Sequence, residues 1–412
     1  MLAESNPSPD GSSPKTTYRT WCILMGAGYY YLTAAIVLLG AILGATFLTP
    51  PPGRDPLISG LTSRNGHWYK QIASEGYEYV AGRRCNEAFF PAYPLLARFV
   101  ARISGVRVEM ALLVVTQACL IGALALTGAY VRARFPHESS EFAEYVVLAM
   151  ALFPTTFYLR MAYAESMFLF LAITAFYGMV RKWPLAVLSA VIGLATATRP
   201  VGVALVVPFV MHVWGEATSW RKFLGRAVWL LPLACWGLVA FMVYQASAFG
   251  DPLAFAKAQE QWSEGTPPST LAERVTRVVT FAPVRAVYDR ESPCYWGLKP
   301  PRDSLVFNLA FANPLYLALT AIAVALGAKR RWLDSRELVL AVLLILIPYA
   351  FQADRFCMMS HARFASVVFP AYIVWGRVLA ALSPPLSGAV MGLCGFMLGA
   401  YSAMFVSWDA FY

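Results

Sequence analysis

The sequence predicts an all-α polytopic membrane protein, a single bundle of about ten membrane segments with two long external loops. Three observations carry that reading. Hydrophobic residues make up 58% of the 412 residues and charged residues 14%, against about 25% charged in a soluble globule. The mean hydropathy is +0.55. Apolar runs of about 20 residues, the length that crosses hydrocarbon, recur along the chain and are joined by short basic turns.

The elements follow in order. Residues 1–18, rich in Ser, Pro and Gly, read as a disordered cytoplasmic tail, and 19–412 as one transmembrane domain. The first span, near 21–48, is too long for a removable signal peptide and lacks a small-residue cleavage pattern, so it reads as an uncleaved anchor with its N-terminus inside. Residues 49–107 form the first external loop. Spans near 108–131 and 142–159 are joined by the basic turn R-A-R-F-P-H (132–137). A short external turn leads to a span near 165–180. The apolar stretch 184–214 is interrupted by T-R-P-V-G (198–202), which predicts two half-spanning helices meeting at Pro200 and Gly202. W-R-K-F-L-G-R (220–226) is cytoplasmic and precedes a span near 227–248. A second external loop covers 249–303. Spans near 304–327 and 336–352 flank the basic K-R-R-W (329–332), a third external loop covers 353–363, and the last spans run near 364–382 and 386–407.

The formal net charge of +10 does not point to nucleic acid, because the basic residues sit in short loops and form no basic domain. Most mark the cytoplasmic side. The first external loop breaks that rule with Arg54, Arg64, Lys70, Arg83, Arg84, Arg98 and Arg102. Cations held there suit an anionic lipid phosphate or pyrophosphate, which Arg binds as a fork. Of seven cysteines, Cys22, Cys119, Cys235 and Cys394 fall in apolar spans as packing residues. Cys85 and Cys294 fall in external loops, where a disulfide and two free thiols are both open.

Dense polar and aromatic motifs lie outside the spans: N-G-H-W-Y-K-Q-I-A-S-E-G-Y (65–77) with A-F-F-P-A-Y-P-L-L (88–96), F-P-T-T-F-Y-L-R-M-A-Y-A-E-S-M-F (153–168), A-T-R-P-V-G (197–202), F-G-D-P-L-A-F-A-K-A-Q-E-Q-W (249–262) and S-H-A-R-F-A-S-V-V-F-P (360–370). In this order they resemble the PIG-V-type mannosyltransferases over most of the chain. The resemblance implies a GT-C-like fold and transfer of mannose or a related hexose from a polyprenyl-phosphate donor to a lipid or glycan acceptor at the external membrane face. The compact length and short cytoplasmic turns favour a bacterial cytoplasmic membrane, with an ER membrane as the alternative. Such transfer needs a base for the acceptor hydroxyl and cations for the departing phosphate.

The chain departs from the family where the first loop should carry its acid: Asn65 stands there, preceded by Arg64. An amide has no useful basicity, so Asn65 is left to orient the acceptor or to ligate a divalent metal through its carbonyl oxygen. Asp55, Glu75, Glu78 and Glu87 are the neighbouring carboxylates open to the role of base. Leaving-group stabilisation alone and an inactive homologue are the other readings. Arg199, at a break in an apolar stretch, reads as a donor-phosphate ligand or a partner of Glu165, because an arginine there is costly unless paired or functional. Arg363 reads as a second phosphate ligand or a membrane-edge charge, and Arg64 as a further phosphate ligand.

His67, Trp68, Tyr69, Tyr77, Glu165, Lys257, Gln259 and Trp262 are candidate substrate contacts. Plainer roles stand beside these: interfacial anchoring for His67, Trp68 and Tyr69, an interfacial amphipathic helix for Phe89, Phe90, Tyr93 and Leu95, an Arg160–Glu165 salt bridge, a simple turn at Asp251, and a hydrogen-bonded structural role for His361. No P-loop, dinucleotide fingerprint, H-E-x-x-H or serine elbow occurs in the sequence, so a nucleotide-sugar donor and a resident cofactor are not indicated. A transporter or flippase of an anionic lipid or sugar is the reading from another class; the long aromatic loops and the absence of inverted repeats speak against it.

Overall fold

In lipid every backbone N–H and C=O must be satisfied within its own segment, so uninterrupted apolar runs become helices. The computed structural model describes residues 14–48, 56–80, 82–262, 270–299, 305 and 307–407, and among them there is no strand. The first helix, α1 (Pro14–Phe47), starts earlier than the expected tail boundary. The first external loop is itself helical: α2 (Pro56–Leu61), α3 (Asn65–Ser74) and α4 (Ala92–Ser104). Then come α5 (Val108–Arg134), α6 (Ser140–Leu152), α7 (Glu165–Val180), α8 (Leu185–Thr196), α9 (Val206–Gly215), α10 (Trp220–Ala234) and α11 (Trp236–Phe249). The second loop holds α12 (Ala254–Glu260), α13 (Leu271–Val279) and α14 (Ala282–Tyr288). The chain closes with α15 (Leu309–Lys329), α16 (Ser335–Gln352), α17 (His361–Ala365), α18 (Phe369–Ala381) and α19 (Pro384–Ser407).

Five of these helices are long and apolar enough to cross a membrane: Thr20–Phe47, Val108–Arg134, Leu309–Lys329, Ser335–Gln352 and Pro384–Ser407. Two expected spans are bent rather than straight. The one near 142–159 stops at Leu152 and continues as a 3₁₀ turn, Pro154–Arg160, inclined by 75°. Pro154 supplies no N–H to continue the α-ladder, and its fixed φ suits the start of a new turn. The one near 227–248 begins at Trp220 and bends by 54° at Cys235, three residues past Pro232, whose ring removes a ladder bond. The break at 198–202 falls where Pro200 and Gly202 predict it: α8 ends at Thr196 and a 3₁₀ turn, Pro200–Leu205, opens the next segment.

Helix α1 packs along α19, and a Cβ on Gly40 would lie 2.1 Å from the Gly399 carbonyl oxygen. Small residues let two membrane helices approach this closely. At the centre α5 lies against α7, with Leu112, Ala123, Leu124, Phe168, Ala172 and Ile173 fully buried between neighbours. The expected interfacial helix is shifted. Phe89 and Phe90 precede α4, and Tyr93 is buried, its hydroxyl donating to the Leu112 carbonyl and meeting Thr116 Oγ1 at 2.8 Å. The exposed apolar stripe of α4 is Leu95, Phe99 and Ile103, spaced one turn apart.

A disulfide joins Cys294 to Cys357, and Cys85 is a buried free thiol. A Cys85–Cys294 pair is therefore excluded. Spacing along the chain carries no information on which loops a bundle brings together.

Candidate active site

Glu165 opens α7, where the helix dipole favours a carboxylate. Two arginines from distant parts of the chain converge on its Oε1: Arg199 Nη1 at 3.1 Å and Arg363 Nε at 3.2 Å. Arg199 is delivered by the extended residue before the 200–205 turn, and Arg363 by the short helix α17. All three side chains are largely buried, with Glu165 at 3% and Arg199 at 9% exposure. Neither contacting nitrogen makes an aligned hydrogen bond. The trio carries one net positive charge and keeps donors unspent. Phe364 lies under both guanidiniums, at 5.5 Å from Arg199 and 5.2 Å from Arg363, and Tyr163 faces Arg363 at 5.4 Å.

The trio lines a cavity of about 410 Å³. Arg64 and Asn65 enter it from the start of α3. Arg64 sits at φ 58°, ψ −115°, a backbone state a side chain rarely takes. Gly66, two residues on, lies against Ala162, and the Ala162 N–H donates to the Leu61 carbonyl, so the first loop is clamped to the turn before Glu165. Tyr69 also lines the cavity, its phenol pushed up in pKa by burial and by the Glu165 charge. Phe89, Trp262 and Gln259 complete an aromatic side, with Trp262 edge-on to Phe89 at 5.8 Å and its buried indole N–H donating to nothing. Among the described lining residues, four guanidiniums (Arg64, Arg84, Arg199, Arg363) face one carboxylate, Glu165.

Asn65, Arg64, Tyr69, Glu165, Arg199, Gln259, Trp262 and Arg363 therefore meet in one place. Other candidates do not join them. Glu75 is exposed at the C-terminus of α3, Glu78 is exposed, and Glu87 is buried beside Cys85 without lining the cavity. Asp55 and Arg54 lie outside the described residues. Trp68 stands one layer back, stacked on Phe89 at 6.2 Å with His67 against its edge. The Tyr77 hydroxyl donates to the Phe89 carbonyl and braces the wall. Lys257 is spent on Asp251 at 2.7 Å.

Arg160 does not pair with Glu165. It donates to the Tyr30 carbonyl and to Thr33 on α1, because the bend after α6 turns it away from α7. His361 is fully buried, its Nδ1 2.8 Å from the Met358 carbonyl, and burial lowers its pKa to about 4. It is a neutral structural histidine. Not all the loop cations serve the cavity either: Lys70 pairs with Glu109 at 2.6 Å, and Arg98 caps the last carbonyls of α3, Ile72 and Ala73.

The structure adds residues that the motifs did not single out. Arg84 lines the cavity, donates to the Gln261 carbonyl and stacks over Trp262 at 5.4 Å. Asn313 of α15 accepts from the Ala362 N–H at 2.9 Å and so holds α17, and with it Arg363. A buried amide inside an apolar run was the available signal for Asn313; nothing in the sequence marked Arg84 above its neighbours. Among the described residues, no three His, Cys, Asp or Glu side chains are grouped to hold a metal ion.

No protein-family model and no curated protein matches the sequence. Solved structures similar to it include ArnT from Cupriavidus metallidurans in the apo state (15% identity, 88% of this chain and 62% of that one, TM-score 0.47). The same ArnT bound to undecaprenyl phosphate matches at 13% identity, with 89% and 62% covered and a TM-score of 0.47. The Archaeoglobus fulgidus oligosaccharyltransferase AglB, in complex with an inhibitory peptide and a dolichol-phosphate, matches at 12% identity, with 94% and 56% covered and a TM-score of 0.43. The chain thus spans about three fifths of the length of these proteins.

Proposed function

We propose that the protein is a membrane glycosyltransferase that moves mannose, or a related hexose, from a polyprenyl-phosphate donor to a lipid or glycan acceptor at the external membrane face. The charge balance of the cavity carries the reading. Among the described lining residues, four guanidiniums beside one carboxylate, walled by Tyr69, Phe89 and Trp262, suit a phosphate joined to a sugar ring. In the donor diester the phosphate carries a single negative charge. When the bond from the anomeric carbon to the phosphate oxygen breaks, the departing monoester gains a second. Arg199 and Arg363 therefore bind the transition state more strongly than the donor, which is what accelerates the step.

The acceptor hydroxyl forms the new bond to the anomeric carbon and loses its proton. Glu165, its Oε1 engaged by two guanidiniums, acts as the anchor that spaces them. Asn65 orients the acceptor through its amide. With Glu75 and Glu87 away from the cavity lining, Asp55 and leaving-group stabilisation remain as the two accounts of proton removal.

The test is transfer from radiolabelled polyprenyl-phosphate-mannose in proteoliposomes supplied with native lipid acceptors. Arg199→Ala and Arg363→Ala should each slow transfer by about 10²–10³-fold, the usual cost of removing one stabilising donor. Loss on Asp55→Asn would assign the base; retention would leave catalysis to the leaving group. Absence of transfer from any polyprenyl-phosphate hexose would overturn the proposal. A second reading is favoured by Asn65 facing the cavity where the family's acid would stand: a non-catalytic binder of the same lipid phosphate, which would retain polyprenyl phosphate without turnover.

A further inference from the structure

A second cavity, of about 760 Å³, is lined by residues at the C-terminal end of α9 and the N-terminal ends of α10 and α16. The segment Pro200–Gly215 and helix α16 pack together, and both run from the first cavity, which Pro200 and Gln352 line, to this one, which Gly215 and Ser335 line. Each run is about 27 Å long by helix rise, close to the roughly 30 Å of a hydrocarbon core. The two cavities thus sit at opposite ends of the bundle, at the depth of opposite headgroup layers.

The polar wall of this cavity sets donors directly beside an acceptor. The donors are Arg336 and His212. Arg336 Nη1 lies 3.1 Å from His212 Nδ1, and a guanidinium can only donate, so Nδ1 accepts and the ring proton rests on Nε2. That Nε2–H belongs to a side chain 6% exposed and makes no hydrogen bond. Next to them stand Glu216, Trp214 and Trp220. Glu216 has no cation within ion-pair distance among the described residues, only the neutral His212 at 3.6 Å. The two indole rings lie 5.5 Å apart, and Phe223 backs them at 5.1 Å from Trp214. Asp334 is already committed to Arg336 and to the backbone at the start of α16.

We infer that this cavity binds the headgroup of a zwitterionic phospholipid bearing a primary amine, of the ethanolamine type. The phosphate meets the unspent His212 Nε2–H and the Arg336 edge. The ammonium meets the Glu216 carboxylate and the faces of Trp214 and Trp220. An acidic headgroup without an amine offers the same phosphate but no cation to meet Glu216. A choline would satisfy the rings but has no N–H to give the carboxylate. The apolar wall formed by Val210 and Met211 suits the start of an acyl chain.

The test is native mass spectrometry of the full chain in detergent, titrated with phosphatidylethanolamine, phosphatidylcholine or phosphatidylglycerol. Retention of the ethanolamine lipid should exceed the other two. It should fall by about fivefold in Glu216→Gln and in Trp214→Ala, the scale of one cation–π or charge contact. Trp229→Ala, an exposed tryptophan of α10 away from the cavity, is the control and should bind as the parent does. Glu216 and Trp214 are both exposed, so elution profile and Tm are expected to match the parent and rule out misfolding as the cause. A preference for phosphatidylglycerol, equal retention of all three lipids, or an ethanolamine preference untouched by both variants would each overturn the assignment.

Discussion

Glu87 shows what burial does to one carboxyl group. It is fully buried in the first external loop, and burial, with the nearby Glu78 charge adding, pushes its pKa up from 4.5 to about 7. The sign of the consequence is set by linkage. Between pH 4.5 and about 7 the unfolded chain has released this proton and the folded chain still holds it, so stability falls as pH rises through that window and levels off above it. In detergent, the Tm of the native protein should therefore drop from pH 5 to pH 8 relative to that of Glu87→Gln, which has no proton to lose. Parallel curves for the two proteins would refute the assignment. A carboxyl group poised near neutrality has the proton affinity of a base, yet Glu87 is not among the residues that line the cavity.

The same scale shows what single residues reveal from sequence. Arg199 is legible because an arginine inside an apolar run has to be paired or functional, and Glu165 is its partner as the alternative reading had it. Arg363 converging on the same oxygen is not legible, because helix packing alone decides that α17 meets the start of α7.

Among the elements, the segment 353–363 carries the greatest strain. Cys357, Met358 and Ser360 all hold positive φ, at 49°, 61° and 69°, each costing about 1–2 kcal/mol. The Cys294–Cys357 bond, the Arg277–Asp354 ion pair and the Asn313–Ala362 hydrogen bond hold it in place. Phe356, Met359, Ser360 and Arg363 from this stretch line the cavity, so the tether and the site are mechanically one unit. Closing a loop of 63 residues is worth about 4 kcal/mol in the chain-entropy account. Reduction, or Cys294→Ser, should lower Tm and weaken polyprenyl-phosphate binding together; full retention of both after reduction would show that the tether is dispensable.

Elements differ in legibility for physical reasons. Long apolar runs and the Pro200–Gly202 break declare themselves, because lipid leaves a backbone no alternative to helix and proline removes a ladder bond. The 75° bend after Leu152 does not, since composition stays apolar across it and only Pro154 marks the turn. Nor does the helical folding of the first loop, whose α3 is held by Arg98 from α4 through contacts that no local pattern encodes.

For the molecule as a whole, two independent lines orient the bundle. The segments 132–137, 181–182, 220–226 and 329–332 are basic and gather at the end away from Glu165, which the positive-inside rule places in the cytoplasm. The disulfide lies at the opposite end, beside the first cavity, and disulfides persist on the oxidising side of a membrane. Neither line uses the other's residues, and both support the external face proposed for the arginine-lined cavity. The check is thiol labelling with a membrane-impermeant maleimide, on a background keeping only Cys294 and Cys357. The exposed Glu75→Cys should label in sealed right-side-out vesicles, whereas the exposed Lys222→Cys should label only after permeabilisation. The reverse pattern would place the disulfide in a reducing compartment and the lipid-phosphate site on the cytoplasmic leaflet. It would thereby overturn external-face transfer while leaving the charge argument for phosphate binding intact.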